Sequence, residues 1–446
     1  MPPYTLSRRS FGAALAGVVG LAVLGACAET SSSGGGDTAG SGLFDDSTVH
    51  DIGFTFEQAD YDAMIDAYVA DSSKKWIEAT VSIDGTTFEK AGLRLKGNST
   101  LRGLTKAGST DTGSGQQGRG GPGGELSSDK PQDLPWLVRL DKNVDGQAFG
   151  DYTEFVVRSN NSATALNEAV ALELLGLAGL ATQKSVSTRL SVNGGTEVLR
   201  LIVENPGDQW DAANFSSAGI LYKAEADGDY SYRGDDAADY EDVFDQESDT
   251  DNENYAPLAA FLKFINQSDD ATFAAELDKH LDVSAFTTYL AFQELIKNSD
   301  DIDGPGNNSY LRYTTDTDQF TVVAWDHNLA FGGMGGGGGN RGGGPGRNGA
   351  VMPSGAPDGG GQMQAPAGGG RMGGRSNILV TRFNADATFK ASYDKALTDL
   401  RAGLYTSGKA AEILQQRAAV LTAKATDLVN ADTITSEADA IKANFT

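Results

Sequence analysis

Asn298 to Gly333 reads NSDDIDGPGNNSYLRYTTDTDQFTVVAWDHNLAFGG. A loop dense in Asp and Asn leads into two apolar runs, SYLRY and FTVVAW, separated by the polar TTDTDQ, a pattern that predicts a short hairpin. Asp326 then stands between the apolar TVVAW and LAFG. A carboxylate in such surroundings costs desolvation unless it meets a partner such as a metal, so Asp326 is the leading candidate for a functional acid. The loop before the hairpin adds Asp300, Asp301, Asp303 and Asn308. These are also the ordinary residues of a solvated turn, and for the loop alone that plain reading stands beside the functional one.

Upstream of this stretch the chain alternates like a sheet. WIEATVSIDG and TTFEKAGLRLKGN, from Trp76 to Asn98, form two strands around the favoured hairpin pair Asp84-Gly85. PWLVRLDK and TEFVVRSN, between Pro135 and Asn160, give two more. SATALNEAVALELLGLAG follows, with Leu166, Val170, Leu174 and Leu177 at helical spacing behind a polar cap at 161–164 and Gly179 at its end. TRLSVNGGTEVLRLIVEN is a second hairpin, turning at Asn193-Gly194. Helices are expected near 255–267 and 283–297, and the part from about Phe389 to Ala443 reads as mostly helical. Strands with one helix first, then helices with one hairpin, predict an α+β chain of two lobes with a cleft between them.

Charge and the leader bound the setting. Lys plus Arg number 35 against 61 Asp plus Glu, a net −26, which disfavours nucleic acid and suits cationic partners or metal ions. Residues 1–27 have the basic start and short apolar run of an export signal. Arg8-Arg9 with Phe11 resembles a twin-arginine signal, and Leu24-Gly25-Ala26-Cys27 resembles a bacterial lipobox, which makes Cys27 the lipidated residue of a protein anchored to the membrane on its extracytoplasmic side. Cys27 is the single cysteine, so an internal disulfide and a Cys-based zinc site are excluded. Residues 28–42 read as a flexible tether, 107–128 as a loop between strands, and the Gly/Met-rich 332–375 as a disordered insertion.

GLRLKGNST, LPWLVRLDK, NNSATALNEAVALELL, LIVEN, LYKAEADGDY, NSDDIDGPGNNSYLRY and VVAWDHNLAFGG occur in this order. Together they resemble the CotH (spore coat protein H) kinase family, from about Trp76 to Gly333. The resemblance implies an atypical bilobal kinase-like fold, with an N-terminal antiparallel sheet plus helix and a mainly helical C-terminal lobe. It also implies ATP and Mg²⁺ or Mn²⁺ as cofactors, and phosphorylation of proteins.

Phosphoryl transfer needs a carboxylate to take the hydroxyl proton, hard oxygen ligands for the metal, and a cation on the phosphates. In ordinary kinases an Asp, an Asn five residues later and an Asp beyond the hairpin supply the oxygens, which is the spacing of Asp303, Asn308 and Asp326. The family's N-x-D pattern falls instead on Asn298-Ser299-Asp300, making Asp300 the first choice of base, Asp303 the second and Asp301 the third. Asn328 departs from the W-D-x-D of many relatives, which weakens a second metal site.

Arg139, in the middle of WLVRL, takes the place of the kinase lysine that pairs with phosphate, with Glu168 or Glu173 on the next helix as its ion-pair partner. An exposed strand-face Arg is the plain alternative. Lys96-Gly97-Asn98-Ser99 matches a family segment whose backbone would approach phosphate, and Glu204 and Asn205 would lie near the adenine. Lys223 matches a family position without a derived role. Asp141-x-Asn143-x-Asp145-Gly146 imitates a calcium loop, but Tyr152 stands at the twelfth position, so it reads as a turn. The acidic run 227–255 is either a solvated loop or a dock for basic substrates. His327, beside Asp326, is left with a minor contact to nucleotide or metal.

The leading expectation is therefore an extracytoplasmic, ATP- and metal-dependent kinase acting on Ser or Thr of a surface or secreted protein. The alternatives are AMP transfer by the same residues, or a non-catalytic envelope scaffold or adhesin.

Overall fold

The computed structural model describes residues 42–98, 100–101, 103–106, 126–225, 228–304, 308–332 and 377–446. The expected signal, Cys27, most of the tether, nearly all of the loop at 107–128 and of the insertion at 332–375 lie outside the described residues.

In chain order come β1 (His50–Thr55), α1 (Gln58–Asp71), β2 (Ile77–Ile83), β3 (Thr86–Leu95), β4 (Trp136–Arg139), β5 (Glu154–Val157), α2 (Leu166–Leu177), β6 (Ser185–Val192) and β7 (Val198–Val203). Then follow α3 (Asp208–Asn214), β8 (Gly219–Ala224), β9 (Phe244–Gln246), α4 (Ala256–Gln267), α5 (Asp270–His280), α6 (Val283–Leu295), β10 (Ser309–Thr314) and β11 (Gln319–Ala324). The chain ends in α7 (Ile378–Ala385), α8 (Ala387–Leu400), α9 (Lys409–Lys424) and α10 (Ala431–Lys442). The α+β class is as expected.

The antiparallel sheet expected at the N-terminal end is a closed barrel with one parallel pair, in the order β1-β2-β3-β4-β5-β7-β6. Closure comes from β1, which pairs antiparallel with β2 and parallel with β6, Ile52 opposite both Ile83 and Leu190. The two expected hairpins turn where Asp84 and Gly85, and Asn193 and Gly194, all take positive φ, the conformation that a two-residue hairpin turn of this hand demands. Alternation along β2 and β6 puts Val81, Ile83, Val186 and Leu190 into the barrel core around the fully buried Trp136. One end is covered by α1, whose Tyr61 stacks on Phe56 at 5.2 Å and donates its hydroxyl to the Ser128 carbonyl at 2.9 Å. Burying a large side chain such as Trp136 contributes roughly 2–3 kcal/mol.

A second sheet, β11-β10-β8-β9, follows in space. Its strand β9 lies in the acidic run 227–255, read from the sequence as either a solvated loop or a dock for basic substrates. Tyr230, Tyr240, Phe244 and Tyr255 of that run are buried in the large helical core with α4, α5 and α6. A third, smaller core joins barrel to sheet: Leu137, Val156, Leu201 and Val203 meet Leu221, Tyr310, Val323 and Trp325, with Ala169 and Leu172 of α2 between them. This apolar layer fixes the ends of β5, β8 and β11 beside one another, and the polar residues just past those ends face a common cleft. The segment 141–146 forms turns, Gly146 at positive φ, in agreement with the reading of its Asp-rich spacing.

Candidate functional site

The cleft is lined by Lys74, Arg94, Lys96, Arg158 and Lys223, by Glu225, Asp245, Glu247 and Asp326, and by Asn98, Asn308, Trp325 and Asn328. Five cations thus face four carboxylates in a chain of net charge −26, so basic residues are concentrated here against the global balance.

Its centre is Arg158, one residue past β5. The Arg158 Nε donates to Glu168 Oε2 at 3.0 Å, and a terminal nitrogen reaches both Glu168 Oε1 at 3.0 Å and Asp326 Oδ1. The guanidinium also lies over the Trp325 ring, 5.5 Å from its centroid. Side-chain exposure is 12% for Arg158, 5% for Glu168 and 16% for Asp326, so the triad is largely removed from water. Burial opposes the charge on Arg158, but Asp326 and Glu168 outweigh it and push its pKa up. Burial raises Glu168 to about 7, with Asp326 adding to the rise and Arg158 opposing it. Two carboxylates therefore share one cation, and burial makes Glu168 easier to protonate than an ordinary glutamate.

Asp326 itself sits at φ 62°, a left-handed conformation that few residues other than glycine adopt. Such strain persists only where neighbours over-determine it, and here they do. The next carbonyl but one, that of Asn328, accepts from both Asn161 and Asn167 at the start of α2. His327 between them is fully buried and accepts or donates at Nε2 to Gln293 at 3.3 Å. Burial lowers its pKa to about 4, so its ring is neutral, and it is not among the residues that line the cleft.

The same Gln293 receives Asn298 Nδ2 at 3.0 Å, and Asn298 is wholly buried. The first residue of the N-x-D pattern is therefore an anchor that ties the loop to the segment carrying Asp326. Asn308 lines the cleft, and its Nδ2 donates to the Asp300 carbonyl at 2.9 Å. That bond uses the amide nitrogen and leaves the oxygen of Asn308 as the atom for a hard cation. A Cβ on Gly304 would fall 2.6 Å from Asp300 Cα, so the loop turns too tightly there for any other residue. Asp303 accepts the Asn377 backbone N–H at 2.7 Å, at the start of α7. This gives Asp303 a structural duty at the start of α7. Asp301 is buried and accepts the Asp303 N–H at 3.0 Å.

Arg139 is not where the expected pairing needs it. It is 47% exposed and bonded to Asp141 at 2.9 Å, while Glu168 pairs with Arg158 and Glu173 with Arg417. Arg139 faces a second pocket with Trp76, Arg94, Glu154, Asn205, Gly207 and Glu247, and this pocket adjoins the cleft through Arg94 and Glu247. Glu204 turns away from both, accepting the Lys184 N–H at 2.7 Å, whereas its neighbour Asn205 lines the second pocket and donates to Glu154 at 3.1 Å.

Lys96 lines the cleft as expected of its segment, 3.9 Å from Glu247; burial lowers its pKa, as it does that of Lys74. Lys74 donates to Asn98 Oδ1 at 2.6 Å, and Lys223 to Glu225 at 3.1 Å. Burial opposes ionisation of Glu225, but Lys223 and the Asn98 amide more than offset it and lower its pKa. Asp245 faces the open cleft, yet the protein crowded about its carboxylate, with Glu225 and Glu247 beside it, raises it to about 6.

Arg158, Lys74, Arg94, Glu225, Asp245 and Glu247 were not singled out by sequence reasoning. For Arg158 a signal existed: an Arg ending the apolar run FVV, directly before the polar cap of a helix. Among the described residues no cluster of three His, Cys, Asp or Glu is arranged to hold a metal ion by itself. The residues present instead suit a cation held partly by a ligand: Asp326 and Asn308 as oxygen donors, with lysines and arginines for the ligand's own charge. The buried Nε of Arg94, which has no partner, fits such a ligand.

The fold and the cleft define an α+β protein with a cation-rich site built around a buried Arg–Glu–Asp triad. The chain belongs to the CotH kinase protein family, whose model matches residues 118–439. The match extends past the Gly/Met-rich insertion into the C-terminal helices and leaves out β1 to β3. No curated protein matches the chain. Among the described residues no helix is long and apolar enough to cross a membrane.

Proposed function

We propose that this protein is an ATP- and metal-dependent protein kinase that works outside the cytoplasm and phosphorylates Ser or Thr of a surface or secreted protein. The observation that carries the reading is Arg158 held between Glu168 on α2 and Asp326 after β11. Kinase chemistry requires a phosphate-directed cation paired to a helix glutamate, next to a metal-directed aspartate. In this reading the barrel with α2 acts as one lobe and the helices with the second sheet as the other, in a kinase-like arrangement.

When bound, a divalent metal supplies neutralisation of charge on the β- and γ-phosphate oxygens. Asp326 and Asn308 would hold it. Lys96, Lys223 and Arg158 neutralise the remaining phosphate charge, and the adjoining pocket of Trp76, Glu154 and Asn205 receives the base. Asp300 takes the proton of the acceptor hydroxyl, in preference to Asp303, because Asn298-Ser299-Asp300 matches the N-x-D pattern of the family. The acidic surface suits a basic protein acceptor. The extracytoplasmic setting rests on the twin-arginine and lipobox resemblances of residues 1–27.

Intact-mass analysis after incubation with ATP, Mg²⁺ or Mn²⁺ and a basic protein acceptor tests the proposal. A phosphoryl increment on either protein, lost in Asp326→Ala, is the expected result. An adenylyl increment would move the activity to AMP transfer, and no increment with no metal-dependent ATP binding would refute the reading.

A further inference from the structure

The helix that carries Glu168 has no side-chain cap of its own. Its N-cap is Ala165, in a left-handed conformation at φ 52°, so the first N–H groups of α2 need acceptors from elsewhere. Thr164 Oγ1 accepts the Leu166 N–H at 3.2 Å and Ser162 Oγ the Ala165 N–H at 3.0 Å. The two residues just before the N-cap are held from a distant helix. Glu437 on α10 accepts the Ala163 N–H at 2.9 Å through Oε1 and the Thr164 N–H at 3.0 Å through Oε2, and the Thr164 hydroxyl donates to the same Oε2.

A single carboxylate from the last helix of the chain therefore fixes the turn that leads into α2, and reaches the helix itself through Thr164, whose hydroxyl accepts the Leu166 N–H. It places negative charge at the end of the helix that favours it. The other half of α2 is gripped from α9, where Arg417 bonds Glu173, the Ser185 carbonyl at 3.1 Å and Asp46 at 3.2 Å. The first turn of α2 is also the turn that serves the site. Asn167 holds the Asn328 carbonyl, and Glu168 holds Arg158, which holds Asp326.

We infer that Glu437 is a positioning residue, which fixes the first turn of α2 so that Glu168 stays on Arg158 and the site is assembled without a separate activating event. This inference rests on the proposed kinase reading for its effect on turnover, but not for its effect on α2. Residues 273 and 274 positions apart are joined here by three hydrogen bonds. The C-terminal helices thereby act as a built-in clamp on the helix glutamate.

Two measurements on the full-length protein test it. In hydrogen exchange, Glu437→Ala should speed exchange of peptides spanning 163–170 by about tenfold and leave the barrel strands unchanged; Glu437→Gln, which keeps the size but loses the charge and one acceptor, should show a smaller rise. Unchanged exchange at 163–170 in both variants would overturn the inference, whether or not the protein transfers phosphate. In the transfer assay, Glu437→Ala should lower kcat about tenfold with little change in the KM for ATP. Combined with Glu168→Gln it should add nothing further, because both act through the same ion pair. Losses that multiply in the double variant would reduce Glu437 to a general stabiliser. Absence of transfer in the unsubstituted protein would sink the kinase reading alone, and the exchange result would still decide the role of Glu437.

Discussion

Replacing Arg158 by Met removes the one cation between two mostly buried carboxylates while keeping much of the side chain's bulk. Two bonds of 3.0 Å to Glu168 and the contact to Asp326 are lost together. Breaking a buried pair from one side costs about 3–5 kcal/mol, because the charge left behind has no compensation. Part of that cost is avoidable here. Glu168, already raised to about 7 by burial and by Asp326, loses the Arg158 attraction that holds it down, and so takes a proton near neutrality.

The low end, about 3 kcal/mol, is therefore expected at pH 7. The sign of the pH dependence follows from linkage. A carboxyl whose folded pKa lies above its unfolded value binds more protons in the folded state. Its favourable contribution is full below the ordinary value of 4.5 and is lost as pH rises through about 7. In the variant that window extends higher still. Urea unfolding at two pH values, with m unchanged, should thus show a loss of about 1–2 kcal/mol at pH near 5.5, where Glu168 is protonated and leaves no unpaired charge of its own, and more at pH near 8. A loss below about 1 kcal/mol at the higher pH, or an equal loss at both, would refute the triad as the organising element of the site.

Asp326→Ala should lower metal-dependent nucleotide affinity by about 10²-fold or more in a folded protein, read by titration with and without Mg²⁺; equal affinity would remove Asp326 from the metal site. Asp300→Asn should reduce turnover by about 10²-fold at nearly constant ATP affinity, whereas Asp303→Asn should chiefly cost about 1 kcal/mol of stability through the Asn377 N–H; reversal of the two phenotypes would make Asp303 the base. Asp245 is protonated below about 6 and charged above it, so ATP binding should weaken as pH rises through that value; Asp245→Asn should bind more tightly at pH near 7.5 and lose the Asp245-linked part of the pH dependence. Gly219→Ala would place a Cβ 2.4 Å from the Tyr313 carbonyl oxygen and 2.5 Å from Arg312 Cζ, so a loss of about 2 kcal/mol or more is expected in denaturant unfolding.

Local chemistry made much of the fold legible in the sequence. Asp84-Gly85 and Asn193-Gly194 select their hairpin turns with no help from distant residues, because the required positive φ is a property of those residues themselves. The spacing of Leu166, Val170 and Leu174 marks α2 in the same way. Asp326 is conspicuous because an acid between two apolar runs is costly wherever it lies. By contrast α5 buries only Phe273 and Leu277, too few to print a helical period, and it passed unseen between its neighbours.

Tertiary structure alone decided which arginine serves the cleft. Arg139 ends β4 and Arg158 follows β5 by one residue. Arg139 lies opposite Glu154, at the end of the strand pair away from Val157, and bonds Asp141, while Arg158 leaves the other end and meets Glu168. Alternation along a strand assigns residues to faces but does not say which end of the strand meets a helix from elsewhere in the chain. Barrel closure has the same character, since the parallel pairing of β1 with β6 joins segments more than a hundred residues apart through backbone groups that carry no sequence mark. The charge of the cleft does too: Lys74, Lys96, Arg158, the pair Lys223 and Glu225 at the end of β8, Asp245 and Asp326 come from separate parts of the chain, and only packing of the barrel against the second sheet brings them onto one surface. Periodicity records what each segment buries against its own neighbours, whereas a site assembled from the ends of many segments is defined by distances that no single segment contains.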